Sequence, residues 1–476
     1  MHFLLSLQAQ GSLQVLRIKS KGNHPVVKLK NEFCACSRGN YVQRIFSFAI
    51  LNKWFFVVTR SAGLVQLYEK QKSVQSSIAY KLVKEWKNST MSTRDPVVAV
   101  GSFRNQYMYT CSNEGKLVIR DLINDDADDS VKTYLIDGPI SSVQVKPLKE
   151  SMRILVAAGG QDNELKLYDL DFALSPATNF NRVYSFGMLR PNINSMIRLT
   201  SASPDGRRMR RRDTAHSNSY IECMRLLPVF VASHDEEILL PLLCGDWILS
   251  IVFAENGPNI VCCGTQFGDL LVYQCTDPYD KEEPQRTLHL SQFPINTLHV
   301  FGQGRYLLYT DTMSKVGVID IYSFEIVNFY DYLKIGPTVN TKVYSCPDST
   351  SKLPKATALS KFRPVYVVAT TIDGNLVIYK LHDNNESELK LCISHAGIIP
   401  DSDIIEMDAY NVLESVFGEM HDIIGTPTKR RKRESGIVSQ FLQCGSGHLG
   451  LGLADANECT NIDDAKAIIQ LGLPSC

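Results

Sequence analysis

The sequence has only three tryptophans and no long apolar run, and neither sign of charge is in excess. Fifty lysines and arginines balance fifty aspartates and glutamates over 476 residues, so no global field drives the chain onto a polyanion. Any nucleic-acid contact has to be local. No apolar stretch approaches the roughly 20 residues that cross a bilayer. The N-terminus, MHFLLSLQAQGS, starts apolar without a basic leader and alternates after Leu7, which predicts no secretory signal. The thirteen cysteines include no CxxC pair; Cys34 and Cys36 are one residue apart, and no nearby histidine pair completes zinc spacing. Cys111, Cys262 and Cys263 sit in strand-like runs, where cysteine acts as a small hydrophobe. These features predict a soluble, intracellular protein of a reducing compartment, with no metal site.

Recognisable catalytic patterns are also missing. There is no Walker loop, HExxH or kinase signature. His216 and His234, near Asp213 and Asp235, have no elbow serine or glycine-framed cysteine beside them. Gly445-Ser-Gly447-His-Leu-Gly450, with Asp463 and Asp464 downstream, fits the dinucleotide fingerprint. A tail of about 40 residues with a Gly-Leu-Gly-Leu run, however, cannot supply the doubly wound sheet such a site needs. The expectation is a protein that is not an enzyme and takes no cofactor.

What the chain has is a repeat, the signature of a propeller or solenoid. A short apolar strand, a turn residue and an alternating strand recur seven times, from FLLSLQAQGSLQVL (3–16) to YVVATTIDGNLVIY (366–379). With Gly11, Gly63, Gly115, Asn163, Gly268, Ser314 and Gly374 as turn anchors, position +2 is always Leu or Val and position +4 Val, Leu or Ile. Those two positions share one face of a strand, and the anchor types tolerate tight-turn dihedrals. The anchor spacings are 52, 52, 48, 105, 46 and 60. All but the 105 lie near or above the roughly 40–45 residues of a four-stranded WD-type blade. The reading is all-β: a seven-bladed WD-type β-propeller over 1–410, each copy supplying the inner hairpin of a blade. Outer strands are expected from residues such as 131–135, 140–145, 295–300 and 326–330. A β-sandwich with fortuitous hairpins is the competing architecture.

The first hairpin begins at Phe3, so ring closure needs a strand from the far end, with 387–394 and 403–408 as candidates. The 105-residue interval holds an insertion, 172–235, that is polar and basic at Arg207, Arg208, Arg210, Arg211 and Arg212. It reads as an exposed loop, either a recognition element for RNA or a partner, or a disordered insertion without function. The tail, 411–476, is expected to be partly disordered. It carries the cluster Lys429, Arg430, Arg431, Lys432 and Arg433, a nuclear-localisation candidate; residues 436–476 match nothing in the repeat.

Three further pieces carry a family resemblance. GGQDNELKLYDL (159–170) resembles a Gly-Gly-x-x-Asn-x-Leu-Lys blade motif. Trp247, Ile251 and Phe253 resemble a Trp-x-x-x-Ile-x-Phe strand, and Gly264 to Tyr273 followed by Pro284-Gln285-Arg286 resembles a hairpin with a Pro-Gln-Arg element. In order and separation they resemble the Nop-seven-associated nucleolar WD-repeat family of yeast and its animal counterparts, loosely over residues 100–435. Two departures stand out: MLRPNIN (188–194) replaces the family's acidic Asn-Asp segment, and Trp247 is followed by Ile248 rather than Asp. The resemblance implies a non-catalytic scaffold of large ribosomal subunit assembly in the nucleus and nucleolus. It would be a monomer within a larger complex, contacting pre-ribosomal particles, other assembly factors and rRNA, with no membrane, and an ATP-driven remodelling enzyme would later remove it. Without the resemblance, a generic WD-repeat adaptor, such as a ubiquitin-ligase substrate receptor or a trafficking scaffold, accounts for the same residues.

Overall fold

The computed structural model describes residues 1–6, 11–21, 24–33, 40–51, 53–72, 78–87, 95–124, 130–148, 152–171, 224–232, 247–254, 260–275, 283–330, 336–346, 362–395, 399, 401–404, 408–417 and 468–471. Its strands form seven sheets in a closed ring, a seven-bladed β-propeller, antiparallel except for one added strand in each of two blades. Blade 2 shows the plan. Val42–Ile50 lies innermost, Lys53–Arg60 and Leu64–Lys72 are the middle pair, and Ile78–Lys87 is outermost. In blades 3 to 7 the innermost strands are Val97–Phe103, Ser142–Pro147, Ile248–Phe253, Ile295–Phe301 and Thr338–Tyr344, and neighbouring blades touch through these strands.

Each of the seven sequence repeats is therefore the middle hairpin of a blade, not the inner one. Both of its strands are covered by neighbouring blades, which explains its continuous apolar runs. Segments 140–145 and 295–300 fall in or next to innermost strands, while Val131–Leu135 and Ile326–Tyr330 are outer strands. At six anchors the turn residue has positive φ, as at Gly115 (92°), Gly268 (81°) and Ser314 (68°). In blade 4 the left-handed residue is Asp162 (48°), one before Asn163.

The repeat's alternation sorts side chains between two interfaces. Leu270 and Val272, at +2 and +4, pack into the core between blades 5 and 6, whereas Leu271 and Tyr273 pack into the core between blades 4 and 5. Blade 7 does the same: Leu376 and Ile378 face blade 1, and Val377 and Tyr379 face blade 6. The hydrophobic core is thus a set of wedges between blades rather than one central mass, as in repeat architectures generally.

The ring closes in blade 1. Ser402–Ile404 pairs antiparallel with His2–Ser6, in the register Phe3 to Ile404, Leu4 to Asp403 and Leu5 to Ser402. The other candidate, Ser387–His395, is instead the outer strand of blade 7. Helix α1 (Ala409–Phe417) follows, running across the boundary expected at residue 410. The Asn411 N–H donates to the Asp408 carboxylate at its start (3.3 Å), and Tyr410, Leu413 and Phe417 seal the core between blades 7 and 1.

Within 172–235, Met224–Arg225 adds a parallel strand to blade 3, and Phe230–Val231 is the outer strand of blade 4. Ile468–Leu471, from the stretch that matches nothing in the repeat, pairs in parallel with the outer strand of blade 7.

Candidate docking surfaces

The face carrying the middle-hairpin turns is built on a device three residues before four of the seven anchors. There Ser112, Thr265, Asp311 and Thr371 accept the N–H of the residue after the anchor, at 3.2, 3.1, 2.8 and 3.1 Å. Such local side-chain bonds favour turns over strand continuation. Loops between blades press on the anchors from the other side: a Cβ on Gly268 would meet Ser291 O at 1.9 Å. On this rigid face Phe267, Phe293, Val339 and Ile372 of blades 5 to 7 are exposed, as are the carboxylates of Glu114, Asp162 and Asp373.

At its centre the channel opens in a cavity of about 330 Å³, lined by side chains from several blades, among them Arg44, Asn113, Ser141, Asn296 and Asn340. Beside it lies the closing cluster. Asp401 accepts the Ile45 N–H (2.7 Å), and Asp403 accepts the Ser47 N–H (2.9 Å) and the Tyr344 hydroxyl (3.0 Å). The Lys342 ammonium stands 3.4 Å from both carboxylates and donates to Ile45 O at 3.0 Å. Burial alone would lower the Lys342 pKa, but the two carboxylates outweigh it and hold it above its ordinary value. Burial, reinforced by Asp403, pushes the Tyr344 phenol well up.

The opposite face repeats an acid six residues after the anchor. Glu69 pairs with Lys53 (3.2 Å), Asp169 with Arg153, and Asp320 with Arg305 (2.8 Å), while Asp121 accepts from the Gln106 amide (2.9 Å). Desolvation would raise the Asp320 carboxyl, yet hydrogen bonds from Arg305 and from the Tyr322 and Ser323 N–H groups hold it below its usual range. Tyr68-Glu69 and Tyr168-Asp169 are thus a weakened aromatic-acidic blade signature, with tyrosine in place of the tryptophan of a Trp-Asp pair. The strand Asn163–Asp171 runs from the turn face to this face, so the insertion departs here, away from the channel cavity. Arg207, Arg208, Arg210, Arg211 and Arg212 lie outside the described residues, as do Lys429, Arg430, Arg431, Lys432 and Arg433. The Gly445–Gly450 fingerprint and His216 and His234 lie outside them as well.

Among the described residues no group of three or more His, Cys, Asp or Glu is placed to hold a metal ion. Burial pushes the Cys262 and Cys275 thiols up to about 12 and that of Cys111 higher still, so these cysteines are protonated packing residues rather than nucleophiles.

No family model matches the chain, and no curated protein does. Among solved structures it is similar to Sqt1 of Saccharomyces cerevisiae, at 11% identity and TM-score 0.49 over 82% of both chains. It is also similar to the β-propeller domain of Cps50 (Swd1) of Myceliophteria thermophila, at 11% identity and TM-score 0.45, covering 72% of this chain and 84% of that one.

Proposed function

We propose that the protein is a non-catalytic docking scaffold in nuclear and nucleolar assembly of the large ribosomal subunit. The observation that carries this reading is the set of family-like motifs. They fall together in two adjacent blades: Gly159 to Leu170 in the middle hairpin of blade 4, Trp247 to Phe253 along the innermost strand of blade 5, and Gly264 to Tyr273 in its middle hairpin. They share one interblade core through Leu165, Leu167, Ile251, Phe253, Cys263 and Tyr273. Trp247 Nε1 donates to Ser141 Oγ (3.3 Å) and so ties blade 5 to the start of blade 4. A rigid ring with loops on two faces suits multivalent docking, and the partners are the precursor particle, other assembly factors and, locally, rRNA.

The test is gradient sedimentation of the tagged full-length protein from nuclear extract, with subunit profiling after depletion. Comigration with large-subunit precursors and a fall in mature large relative to small subunits are expected. A protein that migrates free at low salt, with an unchanged subunit ratio on depletion, overturns the reading and leaves a generic adaptor.

A further inference from the structure

The innermost strands share an irregularity that the repeat does not require. In five blades their pairing with the next strand slips by one residue: between Val42 and Arg44, Val97 and Ala99, Ile248 and Ser250, Ile295 and Thr297, and Thr338 and Asn340. Each slip leaves one residue with no partner opposite: Gln43, Val98, Leu249, Asn296 and Val339. Bulges re-aim side chains and concentrate at barrel rims and active sites. Four of these five residues, all but Gln43, line the cavity at the channel mouth.

The chemistry of that cavity is specific. Val98, Leu249 and Val339 make aliphatic walls. Among the described residues Arg44 is the only charged one in the lining. Its Nε donates to Val98 O (3.2 Å), and no carboxylate pairs with it among the described residues. Ser141 Oγ accepts from Trp247, which leaves its own O–H to donate into the space. The Asn340 and Asn296 amides are already engaged, with Asp401 and with Thr338 and Thr310 respectively. The floor therefore offers one forked cation and few other donors, a match for a single planar carboxylate on an apolar stem. Around it, the exposed Glu114, Asp162 and Asp373 make the same face negative, which disfavours a polyphosphate or nucleic acid and favours cations beside the carboxylate.

We infer that the channel mouth binds a protein segment that inserts one glutamate onto Arg44, its methylenes against Val98, Leu249 and Val339, with lysines or arginines flanking it over the acidic rim. The inference rests on the docking-scaffold reading but not on which particle is bound, so it stands or falls separately from the sedimentation result.

The probe is fluorescein-labelled Lys-Lys-Leu-Glu-Leu-Lys-Lys amide, titrated by anisotropy against the full-length protein. Replacing its Glu by Gln should weaken binding at least tenfold, and so should Arg44→Ala in the protein. Because Arg44 also holds Val98, a second variant avoids the fold: Val339→Glu, at a residue 38% exposed. It should weaken the Glu peptide and strengthen the same peptide carrying Lys in that place. Equal binding of the Glu and Gln peptides, or indifference of both to Val339→Glu, overturns the inference.

Discussion

Gly268, like Gly115, combines two demands that Gly336 separates. Its φ is +81°, and a Cβ there would stand 1.9 Å from Ser291 O. Gly336 has a similar φ of +73°, but its Cβ would meet nothing nearer than Asp373 Oδ2 at 3.7 Å. The left-handed region costs a non-glycine residue roughly 1–2 kcal/mol, and displacing a packed backbone adds a further cost of about 1–3 kcal/mol. Gly268→Ala should therefore lose about 2–5 kcal/mol by denaturant unfolding and Gly336→Ala only about 1–2; equal losses would rule out the close approach as a cause. The turn glycines were legible as anchors, because handedness leaves a mark on residue choice. The Ser291 contact was not, because it comes from a loop in another part of the repeat. His299, on the innermost strand of blade 6, was equally invisible. Burial lowers its pKa from 6.5 to about 4, with Ser345 Oγ 3.4 Å from its Nε2. A depressed folded value stabilises above pH 6.5 and is lost as pH falls through 4. Wild type should lose stability relative to His299→Gln over that window, by at most about 1.4 kcal/mol per pH unit, and parallel pH profiles for the two would refute it.

The closing strand is three residues long, too short to hold the ring through backbone pairing alone. What fastens it is the side chains around it: Asp401 and Asp403 bond the innermost strand of blade 2 on one side and reach Lys342 and Tyr344 of blade 7 on the other. Asp403→Ala would strip acceptors from Ser47 and Tyr344 and a counterion from Lys342. Breaking one partner of a buried charged network costs about 3–5 kcal/mol, and here the loss should appear as lowered cooperativity, because the opened ring has free sheet edges. Lys342 and Tyr344 are both held above their ordinary values of 10.5 and 10.0. Stability from such groups is complete below those values and lost as pH rises past them. Wild type should thus show an alkaline unfolding limb that is weaker in Asp403→Ala. One candidate for the closing strand, 403–408, overlapped Ser402–Ile404, which closes the ring. Which candidate would pair depended on carboxylates finding partners more than 50 residues away, and local pattern carries no trace of that. The inner and middle strands were exchanged for a related reason: the repeat is strongest where both faces are buried, which is the middle of the blade.

At the scale of the molecule, the ring separates two kinds of surface. The turn face holds the channel cavity, an apolar set on blades 5 to 7 and exposed carboxylates, whereas the insertion with Arg207, Arg208, Arg210, Arg211 and Arg212 departs from the opposite face, where Glu69, Asp169 and Asp320 are matched by cations. A balanced chain of this kind has no net field for phosphate, so RNA affinity, if the assembly reading holds, comes from the insertion, while protein contacts supply the rest. The two contributions differ in salt dependence. Each phosphate neutralised by an arginine adds about 0.7–0.9 to the slope of log affinity against log salt, so five arginines account for at most about 3.5–4.5. Replacing the five with alanine should weaken association with the precursor particle and flatten its salt dependence by up to that amount. Binding at low salt should survive, carried by the turn face. Arg44→Ala should do the reverse, weakening association by a similar factor at every salt concentration. The measurement is cosedimentation from 50 to 300 mM salt with both variants side by side. An unchanged slope in the five-alanine variant would show that the insertion does not touch RNA, and complete loss of association at low salt would show that it, rather than the ring, is the main anchor.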